Sequence, residues 1–187
     1  MNAILFALAL NLVNANVQSL PSINAAPANG WIGYTITARE PLYVTCDRCS
    51  LSRDGGFSLN SRDPNDIGPV GVTHLLLFAR LENGVVERIR IFSPGCAIDG
   101  AGQTVHWIDN VPRDASIAFL RNAVERGEHK ARRGALLALS LHDGATDTLI
   151  DLVKNNRSRE VRKKAAFWLG QKDDPRALAA LADILAK

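Results

Sequence analysis

Between residues 113 and 187 the sequence repeats itself with a helical period. IAFLRNAVERG (117–127), TLIDLVKNN (148–156) and ALAALADILAK (177–187) align at 29-residue intervals, matching Leu120, Leu149 and Leu178, then Ala123, Leu152 and Leu181, then Val124, Val153 and Ala182. Two further helices, ARRGALLALSLHDG (131–144) and VRKKAAFWLGQKDD (161–174), align at a 30-residue offset through Arg132 and Arg162, Ala135 and Ala165, Leu139 and Leu169. Each predicted helix carries one apolar stripe too narrow to be buried alone, so the helices must stack in pairs on their neighbours. Asp114 is positioned to N-cap the first helix, and Asp174-Pro175 supplies a cap followed by proline at the first helical position.

Within this region, V-R-K-K-A-A-F-W-L-G-Q (161–171) followed by D-P-R-A-L (174–178) resembles the bacterial HEAT-like branch of the HEAT-repeat family. The resemblance covers roughly 75 of the 187 residues and implies a short α-solenoid of about two and a half repeats. Asn156-Arg157-Ser158 stands where the family places an aspartate in the inter-helix turn. W-I-G-Y (31–34) and I-F-S-P-G-C (91–96) ahead of such helices make the whole layout similar to bacterial secreted HEAT-repeat proteins, a likeness that implies no activity.

Residues 31–112 follow a different rule. Short runs rich in β-branched residues, WIGYTIT (31–37), LYVT (42–45) and QTVHWI (103–108), are bounded by Pro, Gly or Asp and predict strands. LLLFARLENGVVERIRIF (75–92) places Asn83-Gly84 between two apolar runs, the signature of a two-residue type I′ hairpin. Pairing Glu82 with Val85 sets Arg80 opposite Glu87, Phe78 opposite Ile89 and Leu76 opposite Ile91. Residues 51–71 read as a long loop. The expected class is therefore α+β, a small antiparallel β domain (31–112), sandwich-like or a curled sheet, followed by helical repeats (113–187). A solenoid this short needs a cap, and the β domain is expected to provide it, giving one monomeric body.

Charge follows the same division: residues 39–112 carry 7 basic and 9 acidic side chains, residues 113–187 carry 15 and 10. The first 38 residues carry no charged side chain. Ala3–Val13 has the length of a secretory h-region and Val13-Asn14-Ala15 offers a cleavage site, so residues 1–15 are expected to be a signal peptide, 16–30 a flexible lead, and the protein secreted or periplasmic. No stretch approaches the roughly 20 apolar residues of a membrane-spanning helix, and 47% hydrophobic with 22% charged residues excludes disorder.

Export would make a disulfide between Cys96 and either Cys46 or Cys49 the expected use of the three cysteines. The competing reading takes Cys46, Cys49, Cys96 and His106 as a zinc site, or Cys46 and Cys49 as a redox pair, although a single CxxC is a weak signal. No catalytic constellation is present: Ser116, Ser140 and Ser158 lack a nucleophile elbow, and His129 and His142, at the two ends of one helix, read as surface or capping residues. No other cofactor is implied. Arg157, Arg159, Arg162, Lys163 and Lys164, echoed one period earlier by Lys130, Arg132 and Arg133, form a basic ladder, and Phe167 and Trp168 point about 100° apart, so one is expected in the core and the other capping the repeat interface, an exposed recognition aromatic being the alternative. Basic residues without interleaved aromatics do not suit nucleic acid. The expected function is a non-enzymatic module that docks a protein partner through Arg132, Arg133, Arg162, Lys163 and Trp168.

Overall fold

The computed structural model describes residues 12–42, 49–52 and 72–186. The strands are β1 (Leu12–Val13), β2 (Asn16–Leu20), β3 (Gly30–Leu42), β4 (Val72–Glu82), β5 (Val85–Phe92), β6 (Ile98–Asp99) and β7 (Thr104–Ile108). The helices are α1 (Arg113–Arg126), α2 (His129–Leu141), α3 (Thr146–Asn155), α4 (Arg159–Gly170) and α5 (Pro175–Leu185), and Ile23–Ala25 is a turn of 3₁₀ helix. The α+β class is observed.

The β4–β5 hairpin closes as its turn residues dictate, with φ of 52° at Asn83 and 75° at Gly84. Glu82 pairs with Val85, and Arg80 reaches Glu87 at 2.9 Å. Below the tip the register departs from the simple alternation: Arg80 faces Arg88, Ala79 faces Ile89 and Leu77 faces Ile91. The cause is a bulge at Glu87-Arg88. Strict alternation from the buried Val86 would turn Arg88 and Arg90 toward the helices, whereas one extra residue returns Ile89 and Ile91 to the face of Val86.

Five strands form one sheet in the order β2-β7-β3-β4-β5. It is mixed, not antiparallel as expected, because β7 enters between β2 and β3 and runs parallel to both. The expected flexible lead is likewise ordered: Asn16–Leu20 is the edge strand β2, with Val17 packed on one face of the sheet and Leu20 on the other. Just before it, Leu12–Val13 pairs with Ile98–Asp99, and the amides of Gly100 and Gly102 donate to the carbonyls of Val13 and Asn14. A Cβ on Gly100 would lie 2.4 Å from the Cβ of Ala15, so only glycine lets the two backbones pass. The expected boundary after Ala15 therefore falls between two paired strands.

The sheet is covered on both faces, which explains why Leu75–Ala79 of β4 is continuously apolar and buried. On one face Trp31, Leu76, Phe78, Val105 and Trp107 pack with Leu12, Leu51, Cys96 and Ile98. On the other, Ile32, Tyr34, Ile36, Leu77 and Ile89 share a single cluster with Leu120, Ala135, Leu139, Leu149, Val161 and Ala177 of the helices. Each large aliphatic side chain buried there contributes about 1.5–3 kcal/mol. Helix α2 lies directly on β5, where a Cβ on Gly134 would come within 2.8 Å of the Ile89 carbonyl oxygen. Residues 31–112 and 113–187 consequently share one core.

Helix boundaries follow their caps. Ser158 accepts from the Val161 amide, and Asp174 accepts from the Arg176 amide with Pro175 at the first helical position. Helix α1 instead begins one residue before Asp114, which sits exposed in the first turn after an N-cap at Pro112. Ion pairs join residues about one repeat apart: Arg121 with Asp151 at 2.5 Å, Asp147 with Arg176 at 3.0 Å and Lys154 with Asp183 at 3.4 Å.

Candidate functional site

The basic ladder divides into two kinds of residue. Arg132 Nε donates to the Val124 carbonyl at 3.1 Å and its Nη2 to Gly127 at 3.3 Å, while Arg162 Nη1 donates to Asn156 at 2.6 Å and Arg157 at 3.1 Å. Each arginine thus closes off carbonyls at the end of the preceding helix, α1 for Arg132 and α3 for Arg162. Both serve the fold. Arg133 and Lys163, one residue further on, are exposed at matching points of α2 and α4, and neither makes an ion pair among the described residues. Between the two helices runs a shallow groove lined by His129, Arg132, Arg133, Leu136, Glu160 and Lys164. Glu160, within 3.5 Å of His129 and 3.6 Å of Lys164, interrupts the positive field there.

The aromatic pair separates as the 100° helical step requires. Trp168 is half-buried against the main core and Phe167 is 58% exposed, their rings edge to face at 5.0 Å. Two other large apolar residues near this end are open, Leu178 at 74% and Leu185 at 87%. Leu120 and Leu149, the counterparts of Leu178 in the earlier repeats, are fully buried. In α1 and α3 that position is covered by the rest of the stack; α5 turns Ala177, Ala180 and Leu181 inward instead and leaves Leu178 and Leu185 facing outward.

Among the described residues, the sheet separates His106 from Cys49 and Cys96. Cys96 is disulfide-bonded and buried, Cys49 packs half-buried against the same cluster, and Cys46 lies outside the described residues. His106 alternates with Val105 and Trp107, which face that cluster, so it projects from the opposite side of the sheet, near Gly30. A half-cystine sulfur is also unavailable as a thiolate ligand. Among the described residues no group of three or more His, Cys, Asp or Glu side chains is placed to hold a metal ion.

The structure assembles a polar chain that the sequence spacing did not reveal. Ser116 Oγ lies 3.2 Å from Tyr34 Oη and 3.0 Å from His142 Nε2, and His142 Nδ1 is 2.7 Å from the Asp143 carbonyl oxygen. His142 is the C-cap of α2, one of the two roles expected of it, and at 2% exposure it is not a surface residue. Burial pushes the Tyr34 phenol pKa up, and burial also holds the His142 pKa below its ordinary value, against the bond to Asp143. The serine and histidine have the spacing of a nucleophile and its base, but both are sealed in the core, so the arrangement joins elements rather than meeting a substrate. One signal for it was present: Ser116 shares the stripe of Leu120, Ala123 and Val124, and Tyr34 alternates with Ile32 and Ile36.

A second hub lies at the start of α5. Asp174 pairs with Arg176 at 2.9 Å and with Arg39 of β3 at 3.3 Å, and Arg39 also donates to the Asp173 carbonyl. The hydrogen bond from Arg176, followed by that from Thr146, holds the Asp174 carboxyl far below the usual carboxylate range. No helix among the described residues is long and apolar enough to cross a membrane. With this geometry in view, comparison with protein-family models, with curated proteins and with solved structures finds no match to the chain.

Proposed function

We propose that the chain is a non-enzymatic, exported protein-interaction module whose HEAT-like helices dock a protein partner at the α4–α5 end of the stack. The observation that carries this reading is the outward stripe of α5: Leu178 is 74% exposed, whereas Leu120 and Leu149 at the same repeat position are fully buried. Of the five large apolar side chains exposed among the described residues, three (Phe167, Leu178 and Leu185) lie on these last two helices. Clustering of that kind marks an interaction surface more often than singly scattered residues do. Arg133 on α2 and Lys163 on α4 are exposed cations suited to acidic groups on a partner. The disulfide at Cys96 supports an oxidising compartment.

Affinity capture from the producing cell's periplasmic and secreted fractions tests the reading. Wild type, Leu178→Glu/Leu185→Glu and Arg133→Glu/Lys163→Glu are compared at matched thermal stability. A partner retained by wild type and lost from the leucine variant supports docking at α5. The same set of proteins recovered with all three chains overturns it.

A further inference from the structure

The five-stranded sheet ends in β5 on one side and β2 on the other, and the two edges differ in how they are closed. An open edge exposes N–H and C=O groups that pair with any strand brought alongside, so folds blunt it with charge, proline or a covering helix. β5 is guarded in this way. It carries Glu87, Arg88 and Arg90, and its Val86 carbonyl accepts from the Glu128 amide at 3.0 Å. Helix α2 lies so close that a Cβ on Gly134 would meet the Ile89 carbonyl oxygen at 2.8 Å.

β2 has none of these guards. Asn16–Leu20 reads NVQSL, without a charge or a proline, and the first charged side chain of the whole sequence is Arg39. The Asn16 amide donates to the Gln103 carbonyl at 3.0 Å, and along a parallel ladder alternate residues bond the same neighbour. Asn16, Gln18 and Leu20 therefore turn their backbone groups to β7. Val17 and Ser19 turn theirs away from the sheet, where they meet no hydrogen-bond partner among the described residues. Asn16, Gln18 and Ser19 are exposed, and no described strand lies beside β2 on that side.

The outward groups of Val17 and Ser19 flank Gln18 symmetrically. A second β2 laid antiparallel, with a two-fold axis at Gln18, sets Val17 of each copy against Ser19 of the other. Each such pair exchanges both of its N–H···O bonds, and the two Gln18 side chains face each other across the axis. Because the strand carries no charge, two copies come together without like-charge repulsion.

We propose that β2 is a self-association edge, through which two copies of this chain join their sheets by antiparallel β2–β2 pairing about Gln18. A monomer is the expectation from sequence, and the unguarded edge argues against it. The pairing uses none of the α4 and α5 residues assigned above to a protein partner, so either reading can fail without the other. A strand pair this short makes a concentration-dependent contact.

Sedimentation velocity of the full chain between about 1 µM and 1 mM tests it. Wild type is expected to move from the mass of one copy, 20.3 kDa, toward twice that value as concentration rises. Ser19→Pro removes an outward N–H without touching a bond to β7, and is expected to stay at one copy. Gln18 supplies the sharper test, because only pairing about the two-fold axis brings it against itself. Gln18→Glu and Gln18→Lys are each expected to stay at one copy at low ionic strength, and their equimolar mixture to recover the mass of two. Wild type at the mass of one copy throughout overturns the proposal, as do variants that associate like wild type or a mixture that stays at one copy. If Ser19→Pro does not fold, as read by circular dichroism, the Gln18 set decides.

Discussion

Gly33 is where the sheet has least room for a side chain. A Cβ there would lie 2.9 Å from Trp107 and 3.0 Å from Phe78, two rings that meet at 6.1 Å, tilted by 55°. Gly33→Val is expected to destabilise by about 1–3 kcal/mol through overpacking, read as a lower urea midpoint with unchanged m-value. Ser116→Ala removes the shared partner of two buried groups, Tyr34 Oη and His142 Nε2, and is expected to cost about 1–3 kcal/mol, while Tyr34→Phe, which leaves Ser116 bonded to His142, costs about 1 kcal/mol. Equilibrium unfolding of the two variants checks that order. The core positions of Tyr34 and Ser116 were legible in the sequence, because alternation and the helical stripe place them inward. Their meeting with His142 was not, since it depends on how α2 ends against β3, which no local pattern encodes.

Local chemistry decides the ends of the elements, and packing decides the rest. The Asn83-Gly84 turn was readable because both positions need positive φ, and Asp174-Pro175 because cap and proline act within one turn. The bulge at Glu87-Arg88 was not, since it answers the demand of the helices above for Ile89 and Ile91. Strand β2 was missed for a similar reason: NVQSL has little strand character of its own and is held by β7. The repeat arginines allow a sharp contrast between neighbours. Arg162→Ala should lower the stability of the helical stack by about 1–2 kcal/mol, because it strips two carbonyls of their donor, whereas Lys163→Ala should stay within about 0.5 kcal/mol of wild type. Thermal melts followed by far-UV circular dichroism distinguish the two.

At the scale of the whole molecule, one apolar cluster runs from Ile32 in the sheet to Ala180 in the last helix. Unfolding should therefore be a single transition. Far-UV circular dichroism, weighted to the helices, and the fluorescence of a Trp168→Phe variant, which reports Trp31 and Trp107 in the sheet, are expected to give coincident urea curves. Curves separated by more than experimental error would mean that the sheet and the helices melt independently. The composition break near Pro112 was a genuine signal of a change in local structure, but composition cannot say whether two segments share a core.

The parallel pairing of β2 with β7 also sets an order in time. Asn16 must wait for Thr104, and the waiting strand pairs with nothing else in the five-stranded sheet. On a ribosome adding roughly 5–20 residues per second, Asn16–Leu20 emerges several seconds before its only neighbour exists. The β3–β4–β5 meander can form in that interval from local contacts, while β2 docks only once β7 has been made. Until then the β3 edge that β7 will cover stays open, so the nascent chain is most vulnerable to pairing with the wrong strand during the synthesis of residues 93–108.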